Sequence, residues 1–119
     1  MRDRGTSSLQ VILLSEEEDR LRFALNIART ALAVDQEVAI FLGLKAARWA
    51  CRDHGRHPEL TPILEELIEG GVSVHCCSSC AQEHCDFEVD PGLVMAGVAR
   101  SGLTTLVQRT TSFSATITI

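Results

Sequence analysis

Gly70-Gly71-Val72-Ser73-Val74-His75-Cys76-Cys77-Ser78-Ser79-Cys80 joins a helix stop, a short strand and a cysteine cluster in one run. The two glycines end a helix, Val72 to His75 reads as a strand, and the cysteines follow at its C-terminal end before another helix. In open parallel α/β sheets, ligands and reactive groups collect beyond the carboxyl ends of strands, where the next helix presents unpaired N–H groups. The stretch therefore predicts both the fold class and the place of any chemistry.

The chain upstream repeats the same logic. Leu9 to Leu14 is an apolar run of strand formers, and Ser15 with Glu18 three residues later reads as a capping box opening a helix. In that helix Leu21, Ala24, Leu25, Ala28, Ala31 and Leu32 recur at three- and four-residue spacing, so one face packs on a sheet. The acidic run Glu16 to Asp19 is the solvated first turn, matched to the helix dipole. Glu37 to Leu42 is a second strand, and Leu44 to about Cys51 is helical in character, which completes a βαβ unit. Cys51 reads as a space-filling core residue. The polar segment Arg52 to Pro58, with His54 and His57, suits a surface loop. Thr61-Pro62 then starts the helix that ends at Gly70-Gly71.

Downstream, Leu93 to Ala96 is expected as a fourth strand, Val98 to about Thr111 as a weaker helix, and Ala115 to Ile119 as a closing strand with an exposed edge. The expected architecture is one α/β domain over residues 1–119: a three-layer α/β/α arrangement with a mostly parallel sheet of about five strands. A chain of 119 residues with 45% hydrophobic content can close such a core without disulfides or metals as staples.

Composition removes several functional classes. A net charge of −5 without a basic stripe argues against nucleic acid or an anionic membrane surface. No apolar run approaches the roughly 20 residues of a membrane span, and Met1 to Gly5 lacks the apolar centre of a secretory signal, so a cytoplasmic protein is expected. Five cysteines is an odd number, and three fall within Cys76-Cys77-Ser78-Ser79-Cys80. In a reducing compartment such a cluster reads as catalytic, redox or metal-binding rather than as a disulfide framework.

Cys77 is the candidate nucleophile, expected at a surface corner where a strand meets a helix. A helix N-terminus places partial positive charge beside the sulfur and favours the reactive thiolate. Such a thiolate can hold sulfane sulfur as a persulfide or exchange with a disulfide, and Cys80, one turn later, can assist or resolve either adduct. His75, Cys76 and Cys85 are possible accessory groups. Spacing alone leaves open whether Cys76 or Cys77 is the exposed thiol, because moving the strand end by one residue exchanges their directions. His75 also reads as an ordinary strand residue, and Arg109 with Thr110 and Thr111 as bordering either a subunit contact or the cysteines.

Two other readings stay open at this level. Cys77, Cys80, His84 and Cys85 are soft ligands able to hold zinc or an iron–sulfur cluster in a metal-binding or redox regulatory module, although all four lie in one short segment. The chain can also be a non-catalytic scaffold subunit of an oligomer, its cysteines incidental.

The opening strand and helix, the Gly71-Val72-Ser73-Val74 run leading into Cys77, and a late helix followed by a terminal strand resemble the DsrE/DsrF-like sulfur-relay proteins, including the TusD and YchN types. The resemblance implies a small doubly wound subunit that assembles into trimers or hexamers and carries a persulfide on the cysteine after the third strand, here Cys77, without a cofactor. It implies TusA-like or DsrC-like sulfur carriers as partners, in tRNA thiolation or sulfur oxidation. Cys76, Cys80 and Cys85 depart from the simplest family pattern.

Overall fold

The computed structural model describes residues 7–50, 60–85 and 97–119. Within them, strands β1 (Ser8–Leu13), β2 (Glu37–Leu42), β3 (Ser73–Cys77), β4 (Val98–Ser101) and β5 (Ala115–Thr118) alternate with helices α1 (Glu18–Ala33), α2 (Thr61–Glu69), α3 (Ser78–Cys85) and α4 (Leu103–Ser112). A 3-10 helix, Leu44–Ala50, follows β2.

The strands form one sheet in the order β4-β3-β2-β1-β5, and every pairing is parallel. From β1 to β4 the chain advances in one direction across the sheet. Right-handed crossovers therefore keep the intervening helices on a single face. The last connection returns across the whole sheet to the far side of β1, which puts α4 on the opposite face. Side-chain contacts agree with this: Gln10 and His75, which alternate with the core residues of their strands, meet Thr110 and Arg109 of α4.

The core lies on the α1 and α2 side. Leu9, Val11 and Leu13 of β1, Val38, Ile40 and Leu42 of β2, and Val74 and Cys76 of β3 pack against Leu21, Ala24, Leu25 and Ala28 of α1 and Leu64 and Leu67 of α2. Each fully buried Leu, Ile or Val there contributes roughly 1.5–3 kcal/mol over its exposed state. The opposite face is more polar and thinly covered. None of the residues of α4 is buried, and Leu103 and Val107 stand exposed.

Three expectations need correction. α1 begins at Glu18 with no side-chain cap; the Ser15 hydroxyl accepts from the Glu17 N–H at 3.0 Å, so it closes a turn just before the helix. Val98 to Ser101 is a strand rather than the start of a helix. It opens after Gly97, whose φ of +87° suits glycine and whose added Cβ would lie 2.7 Å from the Ile68 side chain. Third, the strand before the cysteine cluster includes Cys76 and Cys77 instead of ending before them. The strand expected at 93–96, the loop at 52–58 with His54 and His57, and Cys51 lie outside the described residues.

Candidate functional site

β3 delivers its last two residues to opposite faces of the sheet. Cys76 points into the core with no exposed surface, in register with Leu42 on one side and Arg100 on the other. Burial pushes its thiol up to about 11, in spite of the charge of Arg100, so it stays protonated and unreactive near neutral pH. Cys77 lies in register with Ser101 of β4 and immediately precedes α3. It is 5% exposed, so the expected surface corner is in fact largely covered.

Cys77 thus occupies the N-cap position of α3, where a side-chain acceptor meets the free N–H groups of the first turn. Burial raises its thiol pKa, but the Ser79 hydroxyl, the Cys80 N–H, the Cys80 thiol and the Ser79 N–H all favour the thiolate, and their combined effect leaves it below the ordinary value of 9.0. The Ser79 hydroxyl is 3.3 Å from the Cys77 sulfur. Cys80 shifts the other way. Burial and its hydrogen bond to Cys77 raise it, opposed by the Leu44 N–H, which donates to the Cys80 sulfur at 3.2 Å. Of the pair, Cys77 is thus the sulfur favoured to ionise and Cys80 the one favoured to keep its proton and donate it. Both cysteines, with Cys76, are free.

This arrangement predicts a pH profile. The thiolate fraction of Cys77 grows as pH rises, so alkylation of this residue by iodoacetamide should reach its plateau with an inflection below 9.0. Ser79→Ala removes a donor to the thiolate and should move the inflection upward. An unmoved inflection, read by peptide mass spectrometry across pH, would contradict the assigned role of Ser79.

His75 shares the α4 face of β3 with Cys77 but serves as a tie between elements. Arg109 donates to its Nε2 at 2.7 Å, which fixes the tautomer: Nδ1 carries the proton and donates to the Ser101 hydroxyl. Burial and then the charge of Arg109 lower its pKa and keep the imidazole neutral. Arg109 also reaches Ser73 at 3.5 Å and lies 5.8 Å over the Phe113 ring. These contacts place Arg109 on the face of β3 that His75 shares with Cys77.

Among the described residues, no group of three or more His, Cys, Asp or Glu side chains stands together as a metal site. The side chains of His84 and Cys85, which complete the alternative ligand set, lie outside those described. Sequence reasoning passed over Ser79, Ser101 and the Leu44 N–H. Ser79 had a signal, since a hydroxyl two residues into a helix lies within reach of the cap. Leu44 had none, because it is brought in from 36 residues away by the pairing of β2 with β3.

No helix among the described residues is long and apolar enough to cross a membrane. Comparison with curated proteins finds no match. Among solved structures, the chain superposes on the crystal structure of the ychN protein from E. coli with a TM-score of 0.77 and 19% identity, over 96% of this chain and 100% of that one. At this identity the likeness concerns the fold: a single α/β domain with a five-stranded parallel sheet. The sequence model of the DsrE/DsrF-like family matches residues 10–119, nearly the whole chain, and this protein belongs to that sulfur-relay family.

Proposed function

We propose that the protein carries sulfane sulfur as a persulfide on Cys77 and hands it to an acceptor thiol on a partner protein in the cytoplasm. The observation that carries this reading is the N-cap position of Cys77, where the first turn of α3 and Ser79 favour its thiolate. In loading, the thiolate attacks the terminal sulfane sulfur of a polysulfide or thiosulfate. A Cys77 S–S bond forms, the donor's S–S bond breaks, and a shorter polysulfide or sulfite leaves. In unloading, an acceptor thiolate attacks the outer sulfur, and Cys77 departs as thiolate. A thiol of lowered pKa suits both steps as stable nucleophile and good leaving group.

The acceptors proposed are small carrier proteins of the TusA or DsrC kind, and the working form is a homo-oligomer, a trimer or hexamer. Exposed Leu103 and Val107 on α4, a helix that buries none of its residues within the subunit, support assembly. Native mass spectrometry tests both parts together. A multiple of the subunit mass, a gain of about 32 Da per chain after polysulfide treatment, and passage of that mass to an added carrier are the expected results. A monomer would remove the assembly, and a load that no carrier accepts would remove the transfer. Cys80→Ser protein is the material of choice for this test, because it lacks the thiol one helical turn from Cys77.

A further inference from the structure

Cys80 forms no bond to the sulfur cargo in the carrier cycle, yet two separate parts of the fold meet its thiol. Its thiol donates to the Cys77 sulfur from one turn into α3. From the other side, the Leu44 N–H donates to the Cys80 sulfur at 3.2 Å. Leu44 makes that contact from a left-handed backbone, with φ of +52°, a conformation uncommon for a leucine and found where the surrounding structure imposes it. The result is a Cys-x-x-Cys pair with one sulfur at a helix N-terminus and the other supplied with its own anion-stabilising donor.

We infer that Cys80 discharges an untransferred persulfide: it attacks the Cys77 sulfur, expels the outer sulfur as hydrosulfide, and leaves a Cys77–Cys80 disulfide that closes the site to further loading. This rests on the carrier reading of Cys77. The step balances without an outside oxidant. The Cys77 persulfide anion and the Cys80 thiol become the disulfide and HS⁻; the Cys80–Cys77 S–S bond forms, the Cys77 persulfide S–S bond breaks, and the Cys80 proton goes to the leaving sulfur. The outer sulfur is reduced to sulfide and the Cys80 sulfur is oxidised, while the Cys77 sulfur exchanges one S–S bond for another. As Cys80 loses its proton, the Leu44 N–H is in place to stabilise the charge that builds on it.

Return to the loadable state takes a dithiol reductant, whose two thiols reduce the disulfide and are themselves oxidised. The device sets a limit on how long the carrier holds reactive sulfur. Prompt transfer to an acceptor thiol competes with internal discharge, and a chain without an acceptor shuts itself off instead of leaking persulfide.

The test follows desalted, polysulfide-loaded protein over time by intact mass, peptide mass and released sulfide. In wild type, the adduct of about 32 Da should give way to a species about 2 Da lighter than the reduced chain, with the bond between Cys77 and Cys80 and one sulfide released per chain. Dithiothreitol should then restore the reduced mass and renewed loading. In Cys80→Ser the adduct should last at least about tenfold longer, because the thiol that attacks it is gone. Equal decay in the two proteins, or decay of the wild type without the disulfide, would overturn the discharge step and leave the carrier reading intact. If neither protein gains sulfur at Cys77, the carrier reading fails and the discharge step falls with it.

Discussion

Replacing Cys77 with serine in a Cys80→Ser background should give a folded protein that takes up no sulfur at the β3 to α3 corner. The loss is complete because a serine hydroxyl stays protonated at neutral pH and cannot form the S–S bond. The fold should hardly notice. Serine is among the favoured N-cap residues, and its oxygen can accept from the same Ser79 and Cys80 N–H groups that meet the sulfur. A change in unfolding free energy within about 1 kcal/mol is expected. Uptake is read as the gain of mass after polysulfide treatment, and stability as the urea midpoint of the same samples. A variant that loads as its parent does would remove Cys77 from the chemistry, whereas one that fails to fold would show that the cap position tolerates only sulfur.

The second large effect falls on the scaffold. Phe41→Ala should destabilise the domain by about 3–5 kcal/mol, the range for truncating a fully buried aromatic side chain. Phe41 is 1% exposed on β2, in register with Ile12 on one side and His75 on the other, so its ring fills the α4 face at the middle of the sheet. A small domain has only about 5–15 kcal/mol in total, so this change takes a large share. The urea midpoint should fall accordingly. A loss below about 1 kcal/mol would mean that α4 or a neighbouring subunit collapses into the vacated space.

The parts of this fold that could be read in the sequence are those in which burial writes a pattern. Val38 to Leu42 is a continuous apolar run because β2 is central and these residues are buried on either side of the sheet, and the bounds of the strand, Glu37–Leu42, were readable to the residue. α2, with Pro62 at its start and Gly70-Gly71 at its end, was equally plain. β4 was not. Among the described residues it is a four-residue strand at the end of the sheet, paired with β3 alone and with none of its residues fully buried, so Val98-Ala99-Arg100-Ser101 carries almost no apolar signal. The more apolar run at 93–96, outside the described residues, has the signal that these four lack.

The place of the candidate site was legible, but not the direction of its cysteines. Three cysteines at a strand-to-helix corner pointed to thiol chemistry, yet only the strand's last residue decides which of Cys76 and Cys77 faces the core. The register of Cys76 with Leu42 and of Cys77 with Ser101 resolves it. The largely covered state of Cys77 and the reach of Leu44 to Cys80 depend on how β2, β3 and the 3-10 helix pack together. No local pattern encodes that.

The account stands most directly on which sulfur receives the load. Protein treated with polysulfide, capped with iodoacetamide and fragmented in tandem mass spectrometry locates the extra sulfur residue by residue. The expected result is an added mass of about 32 Da on Cys77, most completely in Cys80→Ser protein, with Cys76 unmodified. Extra sulfur found on Cys76, Cys51 or Cys85 while Cys77 stays unloaded would contradict it.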